Sequence, residues 1–471
     1  MLGMIAAAVM ATAPSLTEVT VYNQGMGLVK ETRVMKLGAG RQNVAVEDVA
    51  AMIDPSSVSV QSISSKGSFR VLEQNYQYDL ISPMAILNKS VGQKVRFIRT
   101  IANQRDVLEG TLISAPTAVV GVPGGGNQQT YNGMVIRTDD GRIVLDPIGE
   151  IEVKSVPNGL ISRPTLVWDL ESAMAGENTV ELSYITNGIS WNSDYVLTLD
   201  GLGKAALQGW VTINNQCGAT FENAKLKLLA GDVNRAPTAG PDVAMLKMAG
   251  PRGGGRDANF QEEGLFEYHL YTLQRPATVR NRETKQISLL ESSNVTVQKR
   301  MIVDASMNFG RYYPGEGEIG TGDIKPQVRI EFENKKTNDL GIPLPRGRVR
   351  IYQRDQAGSV QLLGEDNIDH TPRDETVSLV VGRAFDVVAS RKRTNFTRIS
   401  DRAVQESFEI ELRNRKETTE TVEVIERHYG DWRVLAKNMD FAKASAEAMV
   451  FKVTLKPNEV RKVTYTVETK W

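Results

Sequence analysis

Histidine is scarce in this chain: three in 471 residues, His269, His370 and His428, none at ligand spacing from a cysteine or a second histidine. A zinc site built from nitrogen and sulfur needs such neighbours, so the histidines argue against one. Cysteine is scarcer still. Cys217 stands alone, has no intramolecular disulfide partner, and has no histidine near it in sequence to activate it. It reads as a small, semi-buried residue. Charge of one sign is missing too: 56 Lys+Arg balance 56 Asp+Glu, which leaves no long-range pull toward nucleic acid or anionic lipid. No apolar run approaches the roughly 20 residues of a membrane-spanning helix, so no integral membrane segment is expected. Gly124-Gly125-Gly126 is followed by neither Lys-Ser/Thr nor a helix start, which makes it a hairpin tip and not a phosphate cradle. Ser190 lacks the glycine two residues on that a nucleophile elbow requires. No cofactor is implied.

What the chain has is alternation. From Tyr184 to Val233 apolar and polar residues take turns at Tyr195, Leu197 and Leu199 and again at Leu226 and Leu228, as one face of a half-buried sheet requires. Counting back by twos from Tyr195 reaches Trp191, so that ring is expected in the core. Upstream, Val19 and Val21 face Leu28 and Val34 across an Asn23–Gly27 turn, and Val44, Val46, Val58 and Val60 continue the pattern. At this length several domains are expected.

The changes of texture divide the chain into six segments. Residues 1–13 read as a signal-peptide remnant: Ile5 to Met10 is apolar and Ala11-Thr12-Ala13 supplies a small-x-small cleavage pattern. An N-terminal β domain spans 14–78. Residues 79–157 carry a helical turn at Pro83–Leu87 and five short strands with tight turns, which suggests a small SH3-like or Sm-like barrel acting as a spacer. A β-sandwich segment covers 158–236, a flexible Gly/Pro-rich loop 237–263, and a β-rich C-terminal domain 264–471. Three strands share one form, alternating and then closing on asparagine, at Asn215, Asn334 and Asn414. Asparagine closes a strand by bonding its side chain to nearby backbone, and the recurrence suits immunoglobulin-like sandwiches. The expected fold is therefore mainly β and multi-domain, a small SH3-like barrel plus immunoglobulin-like β-sandwich modules.

The densest polar cluster runs from Gly364 to Glu375. Glu365, Asp366, Asp369 and His370 are its candidate site residues, for a hard cation or for acid–base work. The cluster lacks the spacing of a calcium loop, and turn residues around Thr371-Pro372 with a solvated acidic face explain it without function. Arg391-Lys392-Arg393 reads as a solvated basic turn. Trp191, Tyr195, Trp210, Tyr312, Tyr313 and Trp432 are the aromatics to sort between core and a glycan-binding surface.

At Gly188-Ile189-Ser190-Trp191-x-x-x-Tyr195 the chain resembles the mucoidy-inhibitor-like family of bacterial secreted proteins, defined by a C-terminal β-rich domain of unknown function. The likeness continues through Gly209-Trp210-Val211 and Phe221-Glu222-Asn223-Ala224-x-Leu226-x-Leu228-x-Ala230-Gly231. It resumes at Leu340-Gly341-Ile342-Pro343-Leu344-Pro345 and at Gly364-Glu365-Asp366 with His370-Thr371-Pro372. The resemblance implies an exported, mostly β protein with no assigned catalytic residues. Longer members carry a coiled-coil insertion where the 79–157 barrel stands here. The resulting expectation is a non-enzymatic β-scaffold of the bacterial envelope, periplasmic or extracellular, that binds another protein or a surface polymer and not nucleic acid. The alternative is a polysaccharide-acting hydrolase working through the carboxylates near Glu365.

Overall fold

The structure, a computed structural model, describes residues 9–64, 67–101, 104–115, 117–119, 130–145, 150–231, 233–234, 260–304 and 321–471. It is mainly β, with several sheets. The helical turn expected near Pro83 is the Pro83–Lys89 helix, started by Ser82, whose Oγ accepts from Ala85 N at 3.1 Å, with proline in the first turn where its missing N–H costs nothing.

Leu16–Tyr22 and Met26–Leu37 form the expected hairpin, and their sheet continues through Gly176–Asn187 and Ser59–Ser62. A second sheet, Gly40–Glu47 with Thr165–Ser172 and Phe69–Gln77, packs on it through Val44, Val46, Leu166, Trp168 and Leu170. A division of the strands at residues 78 and 158 is therefore not a division of the sheets. Strands from both sides of it hydrogen-bond together, and Leu16–Tyr22 pairs in parallel with Phe221–Ala230. The segment between them is inserted. Its two ends meet: Ile81 N donates to Ile161 O and Ile161 N to Asp79 O, at 2.9 and 3.0 Å.

Within the insertion, Lys94–Ile101, Gln104–Ser114, Val135–Thr138, Ile143–Leu145 and Glu150–Val153 form one five-stranded sheet over a core of Leu87, Val95, Phe97, Leu112 and Ile136. The expected barrel is not closed among the described residues. Its edge strands, of three and four residues, do not pair with each other. The triple glycine at 124–126 lies outside the described residues.

Gly188 turns the chain from Gly176–Asn187 into Ile189–Leu199, which belongs to the next sheet. Its φ is +78°, and a Cβ there would stand 2.5 Å from Met52 Sδ and 3.2 Å from Cys217 Cα, so only glycine fits the bend. The new sheet runs in the order Glu283–Thr296, Lys204–Asn215, Ile189–Leu199, Gly347–Arg354, Val360–Ile368. Its inward residues share one continuous core with the first sandwich. Trp191 is buried there as expected, 3% exposed, its Nε1 donating to Leu229 O at 3.2 Å. The Tyr195 and Tyr271 hydroxyls donate to the Pro345 and Pro343 carbonyls, at 2.8 and 3.1 Å, and so tie the proline loop to this core.

The C-terminal sandwich packs the six-stranded sheet that contains Gln298–Asp304, Gln327–Glu333, Thr376–Arg383, Glu420–Arg427 and Ala448–Leu455 against one that contains Val387–Ser400, Ala403–Asn414, Asp431–Lys437 and Val460–Lys470. Two local expectations are corrected here. Arg391, Lys392 and Arg393 lie in the middle of a strand, not a turn; Arg391 and Arg393 point inward, where Glu426 and Glu406 pair with them at 2.7 and 2.9 Å. Of the loop expected over 237–263, residues 237–259 lie outside the described residues, and Phe260 onward is strand. Phe260–Leu265 pairs with Tyr268–Leu273, and the Phe260 ring is buried in the first core.

The three strand-closing asparagines are all fully buried. The Oδ1 of Asn215 accepts from Cys217 N, and its Nδ2 donates to Ala219 O, Val279 O and Arg280 O. Asn414 repeats this with Lys416 N, Thr418 O, Leu455 O and Lys456 O. Asn334 uses Gly341 N, Ile342 O and Pro372 O. Each faces a turn in which a left-handed residue, Arg282, Asp374 or Asn458, precedes a glutamate. In two of these turns the glutamate carboxylate, of Glu283 or Glu459, accepts from the backbone N–H three residues before it.

Candidate functional site

The acidic cluster does not converge. Glu365 and Asp366 are successive residues of Val360–Ile368 and point to opposite faces. Asp366 turns toward the neighbouring sheet, and its Oδ2 accepts from Val380 N at 2.7 Å. Asp369 Oδ1 accepts from His370 N at 3.2 Å, a local turn bond, and His370 Nδ1 accepts from Arg346 N at 3.2 Å. Three of the four candidates thus bond to backbone, Asp366 across to a neighbouring strand and Asp369 and His370 at turns. Among the described residues no group of three or more His, Cys, Asp or Glu side chains is placed to hold a metal ion. Cys217 is buried, and burial pushes its thiol up to about 11, the reverse of what a nucleophile needs.

Glu365 lies on the outward face of its sheet, and it leads to the arrangement that sequence reasoning missed. The outer face of the five-stranded sheet presents one residue from every strand in a single row: Ser288, Trp210, Asp194, Arg348, Asn367. The next row is Glu291, Gln208, Val196, Arg350, Glu365. Asp194 is the anchor. It is 9% exposed, and its carboxylate accepts from Asn192 Nδ2 at 2.9 Å, Thr212 Oγ1 at 3.0 Å and Arg348 Nη2 at 3.2 Å, with Arg350 Nη1 at 3.9 Å. Arg350 Nε then donates to Glu365 Oε1 at 2.9 Å, and Gln286 Nε2 to Thr212 Oγ1 at 3.2 Å. Beside Asp194, directly across the strand pair, the Trp210 side chain is 36% exposed.

The candidate aromatics divide accordingly. Trp191 and Tyr195 are core, Trp210 is on the surface, and Trp432 is half-buried with Nε1 donating to Ala446 O at 2.8 Å. Tyr312 and Tyr313 lie outside the described residues. The signal for Asp194 was present in the sequence: the alternation that sends Trp191 and Tyr195 inward sends Asn192 and Asp194 outward. The same alternation, with Val349 and Ile351 inward, sends Arg348 and Arg350 outward, but their place beside Asp194 is set by a parallel neighbour far along the chain.

A cleft of about 510 Å³ lies on the outer side of the first sandwich, lined by Asn43, Glu47, Gln77, Arg163, Thr165 and Val167 among others. Arg163 pairs there with Asp48. No helix among the described residues is long and apolar enough to cross a membrane. Comparison with models of protein families gives no match, and neither does comparison with curated protein sequences.

Proposed function

We propose that the protein is an exported, non-enzymatic β-scaffold of the bacterial envelope that binds another protein or a surface polymer through the outer face of the Trp210 sheet. One observation carries this reading: an indole, 36% exposed, stands on the face among polar groups already locked to one another. Large aromatics set in a fixed polar surround are what binding surfaces use as anchors, since little side-chain freedom is lost on contact. The finer fold assignment belongs to the same reading. The segment 79–157 is an SH3-like unit, supported by its single five-stranded sheet over a small core, and the sandwiches are immunoglobulin-like, supported by their asparagine-closed strand ends. Kinship with the mucoidy-inhibitor-like family is supported by the Gly188–Tyr195 and Leu340–Pro345 segments, which meet in one core. Export is supported by the small-x-small pattern at Ala11–Ala13.

The test is recovery of a partner from envelope extract by the parent protein and by Trp210→Ala. Loss of the partner in the variant, with an unchanged unfolding midpoint, is expected. Equal recovery by both proteins removes this face from the function. Release of reducing ends from a polysaccharide, abolished by Glu365→Gln, would replace the scaffold with the hydrolase reading.

A further inference from the structure

The geometry points to the ligand class of the Trp210 face: we infer that it binds a neutral polysaccharide chain laid across the five strands. This rests on the binding reading above and narrows it to one of its two partners. Four strand spacings of about 4.8 Å make the row from Ser288 to Asn367 about 19 Å long, a platform and not a pocket. The three inner strands are paired on both sides and only Glu283–Thr296 and Val360–Ile368 are edges, so a partner laid across the face meets side chains. A folded protein partner favours a continuous apolar patch with a polar rim, but on this face the row from Glu291 to Glu365 separates Trp210 from Tyr352 and the exposed Leu362. A pyranose ring matches one indole: its axial C–H face is apolar and its rim is hydroxyl.

The groups around Trp210 suit that rim. Ser288 and Thr212 carry hydroxyls, that of Thr212 with its proton already given to Asp194, and Gln208, Gln286, Asn192 and Asn367 carry amides, which both donate and accept. Charge disfavours an acidic polymer. Asp194 is neutralised by Arg348 and Arg350, and Glu365 by Arg350, while Glu291 in the second row bonds the Gln208 amide and leaves the two rows with one net negative charge. Asp194 also holds its neighbours Asn192, Thr212 and Arg348 in fixed positions, which lowers the ordering cost of binding.

Affinity electrophoresis of the full chain tests the inference, with the neutral polymers dextran, laminarin and glucomannan and with acidic polygalacturonate. Retardation by at least one neutral polymer is expected, together with at least a tenfold weaker affinity in Trp210→Ala, an intermediate one in Trp210→Phe, and the same thermal midpoint in all three proteins. No retardation by any neutral polymer, retardation by polygalacturonate alone, or full retention by Trp210→Ala would overturn it. If no polymer binds while a protein partner from envelope extract is lost on Trp210→Ala, the glycan fails and the binding reading stands. If neither is seen, both fail.

Discussion

Trp191 and Trp210 lie on paired strands, and the parity of their positions sends one ring inward and the other out. The buried ring bonds Leu229 O and meets Tyr271 edge-on, with centroids 6.4 Å apart. Trp191→Ala should therefore lower the unfolding free energy by about 3–5 kcal/mol, the usual cost of emptying a core aromatic site. Trp210→Ala should cost about 1 kcal/mol or less. Chemical denaturation of the two variants side by side checks both, and a near-neutral Trp191→Ala would contradict the packing. His428 titrates with a sign that can be read off its surroundings. It is buried with Nε2 at 3.2 Å from the Tyr465 hydroxyl, near Trp432 and Phe408. Burial brings its pKa down to about 4, Glu426 opposes this, and Arg391 adds to it. The unfolded chain then takes up a proton near pH 6.5 that the folded one refuses until about pH 4, so stability falls as pH drops through that interval. Glu31, pushed up by burial in the other core, acts with the opposite sign. The comparison with His428→Gln isolates the histidine: this variant should lose less stability than the parent between about pH 7 and about pH 4.5. An equal loss in both would show that His428 does not titrate as its burial requires.

At the scale of elements, the asparagine-closed strand ends hold the sheets together at their corners. Asn414→Ala leaves the carbonyls of Thr418, Leu455 and Lys456 and the Lys416 N–H without this partner, and at about 1–3 kcal/mol for each group that water does not reach, a loss of about 3 kcal/mol or more is expected in equilibrium unfolding. A change under about 1 kcal/mol would mean that the turn relaxes to bond itself. Gly188→Ala meets both a left-handed backbone and the Met52 sulfur, and should destabilise by about 2 kcal/mol or more. These elements show what was legible in the sequence. Alternation named Trp191, Tyr195, Leu197 and Leu199 as core, and the repeat of Asn215, Asn334 and Asn414 stood out as strand ends. Their partners Val279, Pro372 and Leu455 did not, because each arrives from a distant part of the chain. Adjacency misled at Glu365 and Asp366, which share a dense acidic run but not a face of the sheet. It misled again at Arg391 and Arg393, whose burial depends on Glu426 and Glu406, residues that no local pattern ties to them.

For the whole molecule, the bonded neck between Asp79–Ile81 and Ile161 makes the inserted segment a separable unit. Joining residue 80 to residue 160 through a short Gly-Ser linker should leave the secondary structure and the main unfolding transition of the rest intact, since its ends are already in contact. Loss of cooperative unfolding would show that the insertion supports the sandwich. Export is tested at the N-terminus, where the mature chain should begin at Pro14; a chain that keeps Met1 and stays in the cytoplasm would refute it. Cleavage there removes the bonds from Ala11 N to Ala45 O, from Thr12 N to Val34 O and from Arg33 Nη1 to Thr12 O. The parallel pairing of Leu16–Tyr22 with Phe221–Ala230 bears on how the chain is born. A ribosome working at about 5–20 residues per second delivers the partner strand roughly 200 residues later, about 10–40 s after the first strand emerges. For that interval the nascent chain carries one hydrophobic strand with a vacant margin, so a holdase or the confinement of a translocation channel has a definite stretch to shield: residues 16–22, until residue 230 is through.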